Sequence, residues 1–102
     1  MPAEFICKKD SLIVIKDLHP KASIHYLIIP KKHIADIQGL HAEDASLITD
    51  LIMEAQELAK TIPGAESFNL VVNNGATAGQ CVFHLHIHFV AGKKLFKPLT
   101  SV

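Results

Sequence analysis

Between residues 84 and 90, histidine and hydrophobe alternate in the run His84-Leu85-His86-Ile87-His88-Phe89-Val90. Strict alternation over this length predicts a half-buried β-strand. Successive side chains on a strand point to opposite faces. His84, His86 and His88 are therefore expected on one face, each about 6.6–6.8 Å from the next, with Leu85, Ile87 and Phe89 on the other. One face packs on a core, and the other presents three imidazoles that titrate near neutrality. β-propensity gives no reason for histidine to recur there. Two chemistries stay open on this pattern alone: a metal site built from overlapping His-x-His pairs, or nucleophilic catalysis.

The chain of 102 residues is expected to form a single domain, 1–102, long enough for one modest core. It is 49% hydrophobic and 20% charged, as in ordinary soluble globules. Ten basic residues balance ten acidic ones, so no strong field favours nucleic acid or an acidic membrane surface. The sequence has no charged-then-apolar leader and no run of about 18 apolar residues. Neither secretion nor membrane spanning is expected, and the expected location is cytoplasmic. Cys7 and Cys81 form no Cys-x-x-Cys pair, which excludes a zinc ribbon and predicts two reduced thiols.

Phe5-Ile6-Cys7 reads as an edge strand and Lys8 to Ser11 as a turn. Leu12-Ile13-Val14-Ile15 is a β-branched run and predicts a buried strand, stopped at Asp17-Leu18-His19-Pro20. His25 to Ile29 is a second strong strand, ended by Pro30, and the two are expected to pair antiparallel. Lys31-Lys32-His33 follows, then a short helical turn through Ile37, broken at Gly39. The main helix is expected from about Glu43 to Thr61. Its apolar stripe comprises Leu47, Ile48, Leu51, Ile52, Ala55, Leu58, Ala59 and Ile62, at spacings of three and four. Pro63-Gly64 stops it. Phe68 to Asn73 is a third strand, Asn74 to Gln80 a loop, and Gly92 to Val102 a loop-like tail. The whole predicts an α+β fold, an antiparallel sheet of about five strands under one long helix and a short one.

The loop Asn73-Asn74-Gly75-Ala76-Thr77-Ala78-Gly79-Gln80-Cys81 is small, polar and uncharged. Glycines let backbone N–H groups approach a ligand, and successive N–H groups in a turn form anion-binding nests. Asn73 and Gln80 add side-chain donors. The bland alternative is an ordinary hairpin loop, where glycine and asparagine are the usual residues. Beside three histidines, a phosphate grip is the better reading.

His-Leu-His-Ile-His-Phe-Val resembles the histidine-triad (HIT) family signature, in which histidine alternates with hydrophobes and two hydrophobes follow. Val71-Val72-Asn73-Asn74-Gly75, Gly79-Gln80-Cys81-Val82-Phe83 and Ile28-Ile29-Pro30-Lys31-Lys32-His33 also resemble that family, so the similarity runs from about Pro2 to Gly92. The branch most resembled is the histidine-triad nucleotide-binding hydrolases. The resemblance implies a five-stranded sheet with a long helix, dimerising into a continuous ten-stranded sheet. It also implies hydrolysis at the α-phosphate of nucleotides, with a preference for purine nucleoside 5′-phosphoramidates such as AMP amides, and no metal or other cofactor.

Carried over residue by residue, the resemblance makes His86 the nucleophile that forms a nucleotidyl-histidine intermediate. His88 would contact the phosphate and help protonate the departing amine, and His84 would orient His86. His25 would lie close to the same phosphate, with His33 behind the triad. Asn73, Gly79, Gln80 and Cys81 would hold the phosphate. Asp17 would bind the ribose hydroxyls, and Ile15 and Leu18 would line the nucleotide pocket. Cys81 stands where relatives often carry serine, and its thiol is a weaker donor. Lys97 stands where several eukaryotic relatives place a tryptophan.

The expected partners are a purine nucleotide or nucleoside phosphoramidate and a second copy of the chain, with no nucleic acid and no membrane. The nearest rival is a diadenosine polyphosphate hydrolase of the same superfamily, which substrate competition would separate. Uridylyltransferase-like relatives end the triad with glutamine, so His88 argues against transfer. A nucleotide-binding or scaffold protein with incidental hydrolysis is a different class of reading, and a metal-binding module is another, separated by metal content after purification.

Overall fold

A computed structural model describes residues 4–94 of the chain. The strands are β1 (Phe5–Lys8), β2 (Leu12–Lys16), β3 (Ala22–Pro30), β4 (Phe68–Val71) and β5 (Ile87–Lys94), and the helix is α1 (Ala45–Thr61). They form one five-stranded sheet in the order β1-β2-β3-β5-β4, and every pairing is antiparallel. The expected α+β class and five-stranded sheet are what the structure shows. Position 97 lies outside the described residues.

The period-2 pattern sorts β2 and β3 cleanly. Leu12, Val14 and Ile28 face α1 and are 0–1% exposed, as are Leu51 and Ala55 on the helix and Phe89 on β5. Each large apolar side chain buried this fully contributes about 1.5–3 kcal/mol. The stripe on α1 is narrower than its spacing suggests: Leu51, Ala55 and Leu58 are buried, but Ile52 is 48% exposed. Among the described residues, no helix covers the other sheet face. There Ile13, Ile15, Leu27 and Ile29 are half-buried, and the registers align a row of Phe5, Ile15, Leu27, His88 and Val71 across all five strands.

Several boundaries differ from expectation. The short helix is a 3-10 turn at Ile37–Gly39 rather than a turn between His33 and Ile37, held by Asp36, whose side chain accepts from the Gly39 N–H. A second 3-10 turn, Ala42–Asp44, precedes α1. β4 ends at Val71, two residues early. Residues 92–94 continue β5 instead of starting a loop. Gly92 makes that possible. It sits at φ +77° where the β3–β5 register slips, and a Cβ there would strike the Ser23 hydroxyl.

Two polar clamps bind the sheet to the helix. Asp44 accepts from the Lys32 ammonium at 2.6 Å and from the His41 N–H at 2.9 Å, which ties the segment after β3 to the start of α1. At the other end, the Lys9 ammonium lies 2.7 Å from both Glu54 and Glu57. The Glu54 side chain is only 2% exposed, and it also accepts from the Cys7 thiol at 3.5 Å. Burial, reinforced by Glu54, raises the pKa of that thiol. A buried carboxylate stripped of its cation is costly, so Lys9→Met is expected to lower stability by about 2 kcal/mol, partly offset by solvent near Lys9. Urea unfolding would check this, and an unchanged midpoint would show that Glu54 does not depend on Lys9.

Candidate active site

The histidine run does not begin as a strand. β5 starts at Ile87, so His84 and His86 precede it. The cause is the lack of neighbours: β3–β5 pairing ends at Ile28 opposite Ile87, and β4–β5 pairing ends at Val71 opposite His88. Two residues further on, Pro30 has no N–H to offer. The connection from β3 to α1 stands in as a spine. The Leu85 N–H donates to the Ile34 carbonyl at 2.6 Å, and His84 Nε2 lies 2.8 Å from the Pro30 carbonyl. The backbone still alternates, with Leu85, Ile87 and Phe89 buried at 4%, 7% and 0%. Leu85, Ile87 and Phe89 thus take the buried side as expected, but of the three histidines only His88 projects from the sheet itself.

Hydrogen-bond partners fix the tautomers. A carbonyl oxygen only accepts, so His86 Nδ1, 2.8 Å from the His84 carbonyl, carries the hydrogen. Neutral imidazole has one hydrogen, which leaves a lone pair on His86 Nε2. His25 is set the other way. Its Nδ1 accepts from the Lys21 backbone N–H at 2.9 Å, so Nε2 carries the hydrogen and donates to His88 Nδ1, also at 2.9 Å. His88 then holds its hydrogen on Nε2. The His86 and His88 rings meet edge to face with centroids 5.2 Å apart. The pair therefore presents a bare nitrogen beside an N–H donor.

Burial, then His86 and His25, push the His88 pKa down to about 4, with Asp17 acting in the opposite sense. Burial also lowers His25, against the pull of Asp17. Both shifts favour neutral rings at pH 7. Asp17, His25 and His88 bring three donor atoms within 4.8 Å of one another, a spacing a metal could use. The Lys21 N–H argues against one: a metal on His25 Nε2 would force the ring hydrogen onto Nδ1, facing another donor.

The remaining site residues divide into three groups. Asp17 joins the cluster, its Oδ2 3.4 Å from His25 and 3.7 Å from His88. His33 packs its ring on His84 at 5.1 Å, behind the triad as expected. Ile15 lies two strands from His88 on the open face, while Leu18 is 58% exposed beside Asp17.

The loop from Asn73 to Cys81 departs from expectation. Gln80 is buried, and its amide is spent inside the chain: Oε1 accepts from the Gly75 N–H at 2.7 Å, and Nε2 donates to the Ala35 carbonyl at 2.8 Å and the Val82 carbonyl at 3.1 Å. The Ala78, Gly79 and Gln80 N–H groups point back to the carbonyls of Gly75 and Ala76, so the nest expected of them is closed. Gly79 serves the turn, at φ +98°. Asn73 donates to the Ala78 carbonyl, and the Cys81 thiol turns back to the Gly79 carbonyl. Gln80 is therefore a staple rather than a ligand.

Sequence reasoning missed Asn74, which accepts from the Ile37 N–H and donates to Gln38, both at 2.6 Å. It also missed the Lys21, Pro30 and Ile34 backbone groups. Only Asn74 had a signal, as a polar residue in the loop.

A model of the HIT domain family matches residues 1–95. The chain belongs to the HIT family. Among curated relatives, an uncharacterized HIT-like protein from Synechocystis is 38% identical over 98 residues, 96% of this chain and 86% of that one. Among solved structures, a HIT family hydrolase from Legionella pneumophila superposes with a TM-score of 0.87 at 32% identity, covering 96% of this chain and 88% of that one. A HIT family hydrolase from Clostridium thermocellum gives 0.86 at 35% identity, covering 97% and 87%. The HIT resemblance read from the triad and its flanking segments is thus the family to which the chain belongs.

Proposed function

We propose that this HIT protein is a nucleotide hydrolase of the histidine-triad nucleotide-binding branch, cleaving purine nucleoside 5′-phosphoramidates. The observation that carries this reading is the opposed tautomer pair, a lone pair on His86 Nε2 beside a hydrogen on His88 Nε2. In the first step His86 Nε2 forms a bond to the α-phosphorus while the P–N bond breaks, and the amine leaves with a proton from His88. In the second step water displaces His86 from phosphorus. Splitting the reaction this way replaces one hard step with two easier ones. Ile15 and Leu27 floor the nucleoside, Asp17 takes the ribose hydroxyls, and the Cys81 amide and the second Asn73 N–H face the phosphate. The HIT family hydrolases among its structural relatives support the reaction class.

The test is turnover of a fluorogenic adenosine 5′-phosphoramidate with and without EDTA. Turnover that survives EDTA supports histidine chemistry. Loss to EDTA would restore a metal role, and nucleotide binding without turnover would make this a binding protein.

The proposal includes a homodimer. β4 is an edge strand, and between it and α1 runs a groove of about 600 Å³ lined by Ile52, Ala55, Ala59, Phe68 and Leu70. Ile52 and Phe68 are 48% and 37% exposed, and exposed apolar grooves beside open strand edges favour association. Light scattering should report twice the 11.2 kDa chain mass, falling to one copy on Phe68→Lys. A wild-type particle of single-chain mass would contradict the dimer. No helix among the described residues is long and apolar enough to cross a membrane, and the free thiols Cys7 and Cys81 suit the cytoplasmic setting proposed with it.

A further inference from the structure

We propose that Asp17 is a positioning residue for the proton donor, holding through Oδ2 the proton that His88 carries on Nδ1 during the reaction. The inference deepens the hydrolase reading above and rests on it for its kinetic arm.

The geometry poses a problem that Asp17 is placed to solve. In the neutral site His25 Nε2–H donates to His88 Nδ1 at 2.9 Å. Neutral beforehand, His88 must first take a second proton, on Nδ1, from solvent, because protonating a departing amine and ending neutral requires it to begin as the imidazolium, with hydrogens on both nitrogens. Its Nδ1–H then faces the Nε2–H of His25. The His25 ring cannot turn its hydrogen away, because the Lys21 N–H already occupies Nδ1. Asp17 Oδ2 lies 3.4 Å from His25 Nε2 and 3.7 Å from His88 Nδ1. A closure of about half an ångström puts one carboxylate oxygen within hydrogen-bond reach of both donors. Asp17 Oδ1 is meanwhile held by the His19 N–H at 2.8 Å, so the carboxylate is aimed before substrate arrives.

The charges facing the pair are few. His86 and His25 oppose a proton on His88, Lys21 opposes one on His25, and Asp17 favours both. Among the described residues, Asp17 is thus the anion that faces both rings.

The proton balance closes over both steps. The His88 imidazolium gives its Nε2 hydrogen to the amine as the P–N bond breaks, and keeps Nδ1–H on Asp17. Its bare Nε2 then takes a proton from the attacking water as the His86–phosphorus bond breaks. The imidazolium is restored.

A ribose ligand alone and a proton holder differ in a measurable way. Asp17→Asn keeps the cap on His19, and Asp17→Ser is a second variant that keeps it. Each is assayed on an adenosine 5′-alkylphosphoramidate, on its 2′,3′-dideoxy analogue, and on the 4-nitrophenyl ester of AMP, whose leaving group departs without a proton. Expected is a loss in kcat of about 10²-fold on both phosphoramidates, little loss in kcat on the nitrophenyl ester, and an alkaline limb of kcat moved to lower pH. The sign follows from removing a negative charge beside His88, which then surrenders its proton at lower pH. Overturning the idea would take a variant that only raises KM on the ribose substrate, with kcat on the dideoxy analogue and the pH limb unchanged. Should wild type cleave no phosphoramidate, the hydrolase reading fails by itself. NMR titration of the His88 ring in wild type and Asp17→Asn still decides the proposal: a lowered midpoint upholds it and an unmoved midpoint ends it.

Discussion

His86→Asn is expected to lower kcat on a nucleoside phosphoramidate by about 10⁴-fold or more, with nucleotide affinity changed only a few-fold. The asymmetry follows from which nitrogen does what. The asparagine amide reproduces the Nδ1–H that donates to the His84 carbonyl, so the approach to β5 keeps its shape. It has no counterpart to the bare Nε2, and no bond to phosphorus forms. His88 remains poised, but a proton donor without a nucleophile has nothing to release. Steady-state kinetics with the fluorogenic substrate, together with nucleotide titration, would measure both halves. Activity within tenfold of wild type would remove His86 from the nucleophile's role. Loss of binding in step with activity would point to a collapsed site instead.

Gln80→Ala is expected to cost about 3 kcal/mol of stability and about 10²-fold in kcat/KM. Three bonds end on this one buried amide, to Gly75, Ala35 and Val82. The first closes the loop ahead of Cys81, the second fastens that loop to the spine after β3, and the third fixes the bend that leads to His84. Buried partners left unpaired carry a desolvation penalty, and a reacting group displaced by about 1 Å loses rate on the scale given. Thermal unfolding and kinetics on one preparation would test the pair of effects. A stable variant with normal kinetics would mean that the loop holds its form without Gln80.

Much of this was legible in the chain. The alternation from His84 to Val90 put Leu85, Ile87 and Phe89 on the buried side, because alternation belongs to extended backbone whether or not it is paired. For the same reason it could not reveal that pairing starts at Ile87. That boundary depends on where β3 and β4 stop, which is a property of distant residues. The β-branched runs marked β2 and β3, and the three- and four-residue spacing marked α1. Ile52 was misjudged because periodicity places a residue on a face without saying how wide the covered stripe is. Among the site residues, the histidine alternation pointed to His86 and His88, and the family resemblance to Asp17 and His25. The tautomers that distinguish their roles are set by backbone groups of Lys21, His84 and Pro30. Every residue type offers the same carbonyl and all but proline the same N–H, so the sequence carries no mark of them. Gln80 was taken for a ligand since its donors were counted before their partners were known.

In the proposed reaction, the late start of β5 gives the two histidines that take part different mechanical footing. His88 stands on a strand paired on both sides, opposite Leu27 and Val71, and shifting it would break ladder bonds. His86 sits on unpaired chain, stitched sideways through its neighbours Leu85 and His84 to Ile34 and Pro30. Its ring can follow phosphorus as that atom moves toward it and then away, while the acid stays fixed. Compliance is confined to the partner that must travel.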